Sequence, residues 1–158
     1  MRLLNIVEAF LREDGWDYSQ FESKNVLKTG YQGQNGSWTC YAQTREDDQQ
    51  FLFYAICPIK APDKKRAAVA EFITRANYGM VIGNFELDYS DGEIRFKSSV
   101  DVEDSELTEP MCRSAVYWAV VMMDKYLPGI LQVLGGDKAP ALAIEEIEAD
   151  DRPDPTKS

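Results

Sequence analysis

The nine residues from Ala115 to Met123 restrict the fold more than any other stretch of this chain: none is charged, and Arg113 and Asp124 bracket the run. A bilayer crossing needs about 20 apolar residues, so this run is too short to span and must be buried in protein. At helical spacing its apolar side chains point in nearly every direction, which demands cover on more than one side. The segment Phe51 to Ile56 makes the same demand as a strand, because it is apolar at both parities. With 44% apolar residues in 158, the chain holds enough material for one core that meets both demands.

Periodicity supplies the other elements. Leu3, Leu4, Val7, Phe10 and Leu11 share a helix face opposite Glu8, Arg12 and Glu13, and Gly15 ends that helix. Three runs rich in β-branched and aromatic residues follow, Val26 to Tyr31, Trp38 to Thr44 and Phe51 to Ile56. Asn35-Gly36 between the first two is a type I′ hairpin signal, which needs positive φ at both central residues. Pro62 and Asp63 open a second helix marked by Val69, Phe72, Ile73 and Ala76, with Asn77 or Gly79 as its cap. A second hairpin sets Phe85, Leu87 and Tyr89 against Ile94 and Phe96 across Asp91-Gly92, and leaves Glu86, Asp88, Glu93, Arg95 and Lys97 wet. Thr108 caps a third helix from Glu109 to about Leu127, where Pro128-Gly129 predicts a kink or break. The order αβββαββα describes a single α+β domain over residues 1–134, an antiparallel sheet packed with helices. Beyond Gly135-Gly136 the composition turns to Ala, Pro, Glu and Asp, so 135–158 reads as an acidic appendage outside the core.

Composition narrows the function. A formal net charge of -10 repels phosphate backbones and anionic membranes, so neither nucleic acid nor a membrane is expected as a partner. Asn5 and Glu8 interrupt the apolar start, no export signal is seen, and a cytoplasmic location is expected. There is no histidine, which removes the commonest general base and metal ligand together. Cys40, Cys57 and Cys112 lack CxxC spacing and read as buried reduced thiols. The stretch Gly30 to Gly36 has neither the spacing nor the ending of a phosphate-binding loop. Asp101, Glu103, Asp104 and Glu106, like Asp88 and Asp91, depart from the calcium-loop pattern and read as solvated turns. Lys64-Lys65-Arg66 reads as a solubilising helix start. No catalytic residue, metal or cofactor is therefore expected. The competing reading, a small enzyme or a ligand- or cation-binding protein, needs Asp and Glu carboxylates converging in a pocket.

The stretches Glu71-Phe72-Ile73-Thr74-Arg75-Ala76-Asn77, Gly83-Asn84-Phe85-Glu86-Leu87-Asp88 and Asp91-Gly92-Glu93-Ile94-Arg95-Phe96, with Asp124 and Leu127-Pro128, resemble the YbjN-like bacterial family. The likeness is strongest from about Pro62 to Leu134. It implies a fold similar to that of the type III secretion chaperones, small α+β proteins that commonly dimerise and bind partner polypeptides. It also implies a role of the kind described as sensory-transduction or stress regulation, and it brings no catalytic motif. The expected function is a non-enzymatic, chaperone-like or regulatory protein-binding module that forms a homodimer. Surplus apolar faces supply the expected interface: Val116, Val120 and Met123 on one side of the third helix, with Ala115, Trp118 and Met122 on another, and Phe51, Phe53 and Tyr54 on the apolar strand.

Overall fold

Along each of the longer strands burial alternates residue by residue, and the buried set forms one face of a six-stranded antiparallel sheet. The computed structural model describes residues 2–22 and 25–151. The elements are α1 (Leu3–Glu13), β1 (Tyr18–Gln20), β2 (Val26–Gln32), β3 (Ser37–Arg45), β4 (Gln50–Ile56), α2 (Arg66–Asn77), β5 (Asn84–Leu87), β6 (Ile94–Asp101), α3 (Glu109–Gly135) and α4 (Pro140–Ile147). The sheet order is β1-β2-β3-β4-β6-β5: after β4 the chain runs through α2 to the far edge, and β6 returns inside it.

All the helices lie over the buried face. α3 packs on β4 and β6, α1 on α3 and β3, α2 on β5 and α3, and α4 on both α2 and α3. At 27 residues α3 is about 40 Å long. Phe51 and Phe53 of β4 meet it from below, with Phe10, Phe72, Phe85 and Phe96 completing the aromatic part of the core. The start of α1 lacks a cap of its own, and Glu46 supplies one from beyond β3 by accepting the N–H groups of Leu3 at 2.8 Å and Leu4 at 3.2 Å.

The architecture expected from the sequence is present, with two additional elements. β1 extends the sheet beyond β2, and α4 stands where an appendage was expected. In α4, Ala143 and Ile144 are buried and Ile147 is half-buried. Gly129 of α3 makes room for it, since a Cβ there would stand 2.2 Å from Ile147 Cδ1 and 2.8 Å from the Phe72 ring. The Tyr126 hydroxyl donates to Glu148 at 2.6 Å, and ion pairs join Lys125 to Asp151 and Lys65 to Asp137. The domain boundary at residue 134 is thereby corrected: the packed unit includes α4. Residues 152–158 of the expected appendage lie outside the described residues.

Pro128 does not break α3, contrary to expectation. A proline offers no N–H to the carbonyl four residues back, which is that of Asp124. The side-chain amide of Asn35 donates to this carbonyl at 2.8 Å, while the Asp124 carboxylate accepts the N–H groups of Gln34 at 3.0 Å and Asn35 at 2.8 Å. The β2–β3 turn is thus seated on the helix. Gly33 and Gly36 permit it, because a Cβ at either would stand 2.4 Å from Asp124 Oδ1 or 2.8 Å from Leu127 Cδ2. Neither Asn35 nor Gly36 has positive φ, so the type I′ turn is also corrected. Gln32 pairs with Ser37, and the four-residue loop between them is shaped by its contact with α3. In the second hairpin the core face is as expected except at Tyr89, which is 58% exposed.

Candidate protein-docking surface

Six of the nine residues expected at an interface belong to the interior, Ala115 among them at 4% exposed, whereas Met122 is half-buried and Trp118 is open. Phe51, Phe53, Val116, Val120 and Met123 have no exposed surface in the single chain, and as interface residues they are corrected. α1, α2 and α4 supply the cover that the apolar run on α3 demanded, while Leu52, Tyr54 and Ile56 of β4 stay half-buried on the open face of the sheet. Tyr54 is different: it is half-buried on the open face of the sheet. The Arg95 guanidinium lies 4.3 Å from the centre of its ring, and Glu86 accepts hydrogen bonds from Arg95 at 2.9 Å and Lys97 at 3.1 Å. Burial would push the Glu86 carboxyl up, but Lys97 and Arg95 together hold it below its ordinary value. The open sheet face is therefore roofed at Tyr54 by a charged network.

The uncovered apolar surface lies on the outer side of α3. Trp118 is 38% exposed and Val121 49% exposed. With Arg113, Ser114 and Tyr117 they line a shallow groove of about 470 Å³. From Tyr117 an aromatic series leads away towards the sheet: Trp16 at 6.2 Å between ring centres, then Tyr31 stacked on Trp16 at 5.6 Å, then Trp38 a further 5.6 Å on.

Asp14 fixes this wall. It closes α1, and Gly15, at φ +85°, turns the chain so that Trp16 comes back beside α3. The Asp14 carboxylate accepts from the Tyr117 hydroxyl at 2.6 Å, the Trp16 indole at 3.0 Å and the Arg113 guanidinium at 3.2 Å. The Tyr117 bond foremost, with help from Trp16 and Arg113, holds the carboxyl below its ordinary value, and the same bond raises the Tyr117 phenol. Arg113 also pairs with Glu109 and lies 5.3 Å from the centre of the Phe10 ring. The Asp14 carboxylate is thus committed to holding the Trp16 and Tyr117 rings in place, with Arg113 as its counter-charge.

A second uncovered apolar feature projects from the fold. In the loop between α2 and β5, Tyr78 is 90% exposed, Val81 85% and Ile82 37%. Asn77 clamps its base, accepting the Phe85 N–H at 2.7 Å and donating to the Phe85 carbonyl at 3.0 Å. The sequence reading passed over this loop. The available signal was Tyr78-Gly79-Met80-Val81-Ile82-Gly83, an apolar run between two glycines at the end of a helix pattern.

The remaining groups singled out from the sequence have structural duties. Burial pushes the Cys40 and Cys112 thiols up to about 12 and raises that of Cys57, the opposite of activation. Asp101 accepts the Glu103 N–H, Asp88 that of Ser90, and Asp91 that of Glu93. These are turn contacts. Among the described residues no three of His, Cys, Asp and Glu are grouped as a metal site would need. Arg66 donates to the carbonyls of Ala61 and Tyr89.

A family model described as "YbjN: Putative bacterial sensory transduction regulator" matches residues 3–132. The chain belongs to the YbjN family. The match ends before α4, so the helix that packs over Gly129 lies outside it. The crystal structure of YbjN, "a putative transcription regulator from E. coli", is similar to this chain with a TM-score of 0.60 and 15% identity, over 85% of this chain and 90% of that one. At that identity the likeness shows the shared α+β fold. No curated protein matches the chain. Among the described residues no helix is long and apolar enough to cross a membrane.

Proposed function

We propose that this YbjN-family chain is a regulatory module that acts by holding a polypeptide in the groove along α3, with no chemistry of its own. The observation that carries this reading is the pairing of exposure with rigidity. Trp118 and Val121 are left open to water although eleven residues of α3 are buried, and Tyr117 and Trp16 of the adjoining aromatic wall are each held by a hydrogen bond to Asp14. A rigid aromatic surface loses little side-chain freedom when a partner covers it, which is why such residues dominate protein-binding sites. The family description as a sensory-transduction regulator fits a protein whose output is an association.

The test is co-purification from the native cells with the tagged wild-type chain, with Trp118→Glu and with Tyr54→Glu, after thermal unfolding has shown all three folded. A polypeptide retained by wild type and Tyr54→Glu but lost by Trp118→Glu supports the reading. Equal retention by all three, or loss only with Tyr54→Glu, contradicts it.

A further inference from the structure

We propose that the polypeptide held on α3 runs on past Trp16 as an extended strand and pairs with the open edge of β2 at Gly30 and Gln32. The proposal rests on the α3 groove holding a polypeptide, and it goes on to assign the bound segment a conformation and main-chain partners. β2 pairs with β3 from Val26 to Gln32, but β1 covers its other side only from Leu27 to Thr29. The chain enters β1 only at Tyr18, because Gly15, at φ +85°, first sets Trp16 beside Tyr117 of α3. Among the described residues no strand therefore lies beside Gly30, Tyr31 and Gln32 on that side.

Along an antiparallel strand alternate residues turn their main-chain groups to opposite sides. The Thr44 N–H donates to the Asn25 carbonyl and the Gly33 N–H to the Gly36 carbonyl, so the odd-numbered residues of β2 bond towards β3. Gly30 and Gln32 turn their main-chain groups outward. Both are exposed, and Gly30 has no side chain to keep a second main chain away. Position ties this edge to the groove. Gly30, Tyr31 and Gln32 line a cavity of about 250 Å³ with Trp16 and Tyr117, and Tyr117 is also a wall of the α3 groove, so the two recesses meet at one ring. A bound helix has spent its main-chain groups on itself and gains nothing from such an edge. An extended segment uses both places, its main chain on β2 and every second side chain against Trp16 and Tyr31. The opposite edge of the sheet is closed at Phe85, where the Asn77 side chain already accepts the N–H and donates to the carbonyl. A second copy pairing through β2 would bring together two chains of net charge -10, which disfavours it as the occupant.

The probe is a phage-displayed library of short random peptides, selected on the full chain; binders that Trp118→Glu fails to retain are then synthesised. Gln32→Pro removes an outward N–H and no hydrogen bond of the β2–β3 ladder. It should bind those peptides about ten-fold more weakly than wild type at an unchanged melting temperature. In the wild type the Gln32 amide should exchange with deuterium at least about ten-fold more slowly once a peptide is bound, a measurement that decides the matter even where Gln32→Pro folds poorly. Peptides that Trp118→Glu loses but that leave Gln32 exchange unchanged overturn the strand pairing and leave the groove standing. A selection that yields no peptide sensitive to Trp118→Glu defeats the groove and the strand pairing together. Protection of Gln32 that rises with the concentration of the chain alone means β2-to-β2 pairing of two copies and overturns the proposal.

Discussion

Ending the chain after Gly136 removes α4 from the surface formed by α2 and α3. Ile144, 8% exposed, loses nearly all its burial, and Ile147 loses about half of a side chain's worth. At about 1.5–3 kcal/mol for a fully buried large apolar side chain, these two account for roughly 2–4 kcal/mol. The partners left behind lose cover as well, since Gly129 and Phe72 face Ile147 and the Tyr126 hydroxyl gives up its bond to Glu148. Counting that uncovered surface as about one further side chain brings the loss to roughly 4–7 kcal/mol. A typical domain has about 5–15 kcal/mol in total, so the truncated chain should be barely stable. Urea unfolding followed by far-ultraviolet circular dichroism measures the loss. Ile144→Ala in the full chain is the milder version, expected to cost about 2–4 kcal/mol. A truncation that costs less than about 1 kcal/mol would refute the reasoning and restore the appendage.

Two other perturbations probe contacts described above. Asp124→Ala removes two charge-assisted hydrogen bonds to the β2–β3 turn and should cost about 2 kcal/mol, lowering the melting temperature by roughly 4–8 °C; Asn35→Ala should be strongly non-additive with it, because both hold one turn to one helix. Additive losses in a double-mutant cycle would count against the seated turn. Because the Asp14 carboxyl is held below its ordinary value in the fold, its contribution is present above about pH 4 and is lost as pH falls through the folded value; wild type should destabilise more steeply on acidification than Asp14→Asn, and parallel pH profiles would contradict this.

Much of the fold was legible because burial and periodicity agree. In β4 the residues of one parity are fully buried and those of the other half-buried, as a strand apolar at both parities requires. α4 was not legible: its apolar side chains are few and its entry is Gly-Gly and proline, so only the complementary gap at Gly129 shows where it fits. The Asn35-Gly36 turn misled for a related reason, since local turn chemistry yielded to a long-range contact with Asp124. The docking surface was half legible. A surplus on α3 was evident from composition, but which side stayed open depended on where α1 and α4 lie, and that chose Trp118 and Val121 over Val116, Val120 and Met123. Asp14 gave no sign in sequence, because its three donors come from positions 16, 113 and 117.

The central claim is that the outer face of α3 receives a polypeptide. The chain has three tryptophans, Trp16 in the aromatic wall, Trp38 in the core and Trp118 in the groove. Their indole N–H resonances in the ¹⁵N-labelled protein report on each place separately, and the ligand to add is the polypeptide recovered by co-purification. Trp118 should shift or broaden in proportion to bound ligand while Trp38 stays in place. A saturating titration that leaves Trp118 unmoved would contradict the account.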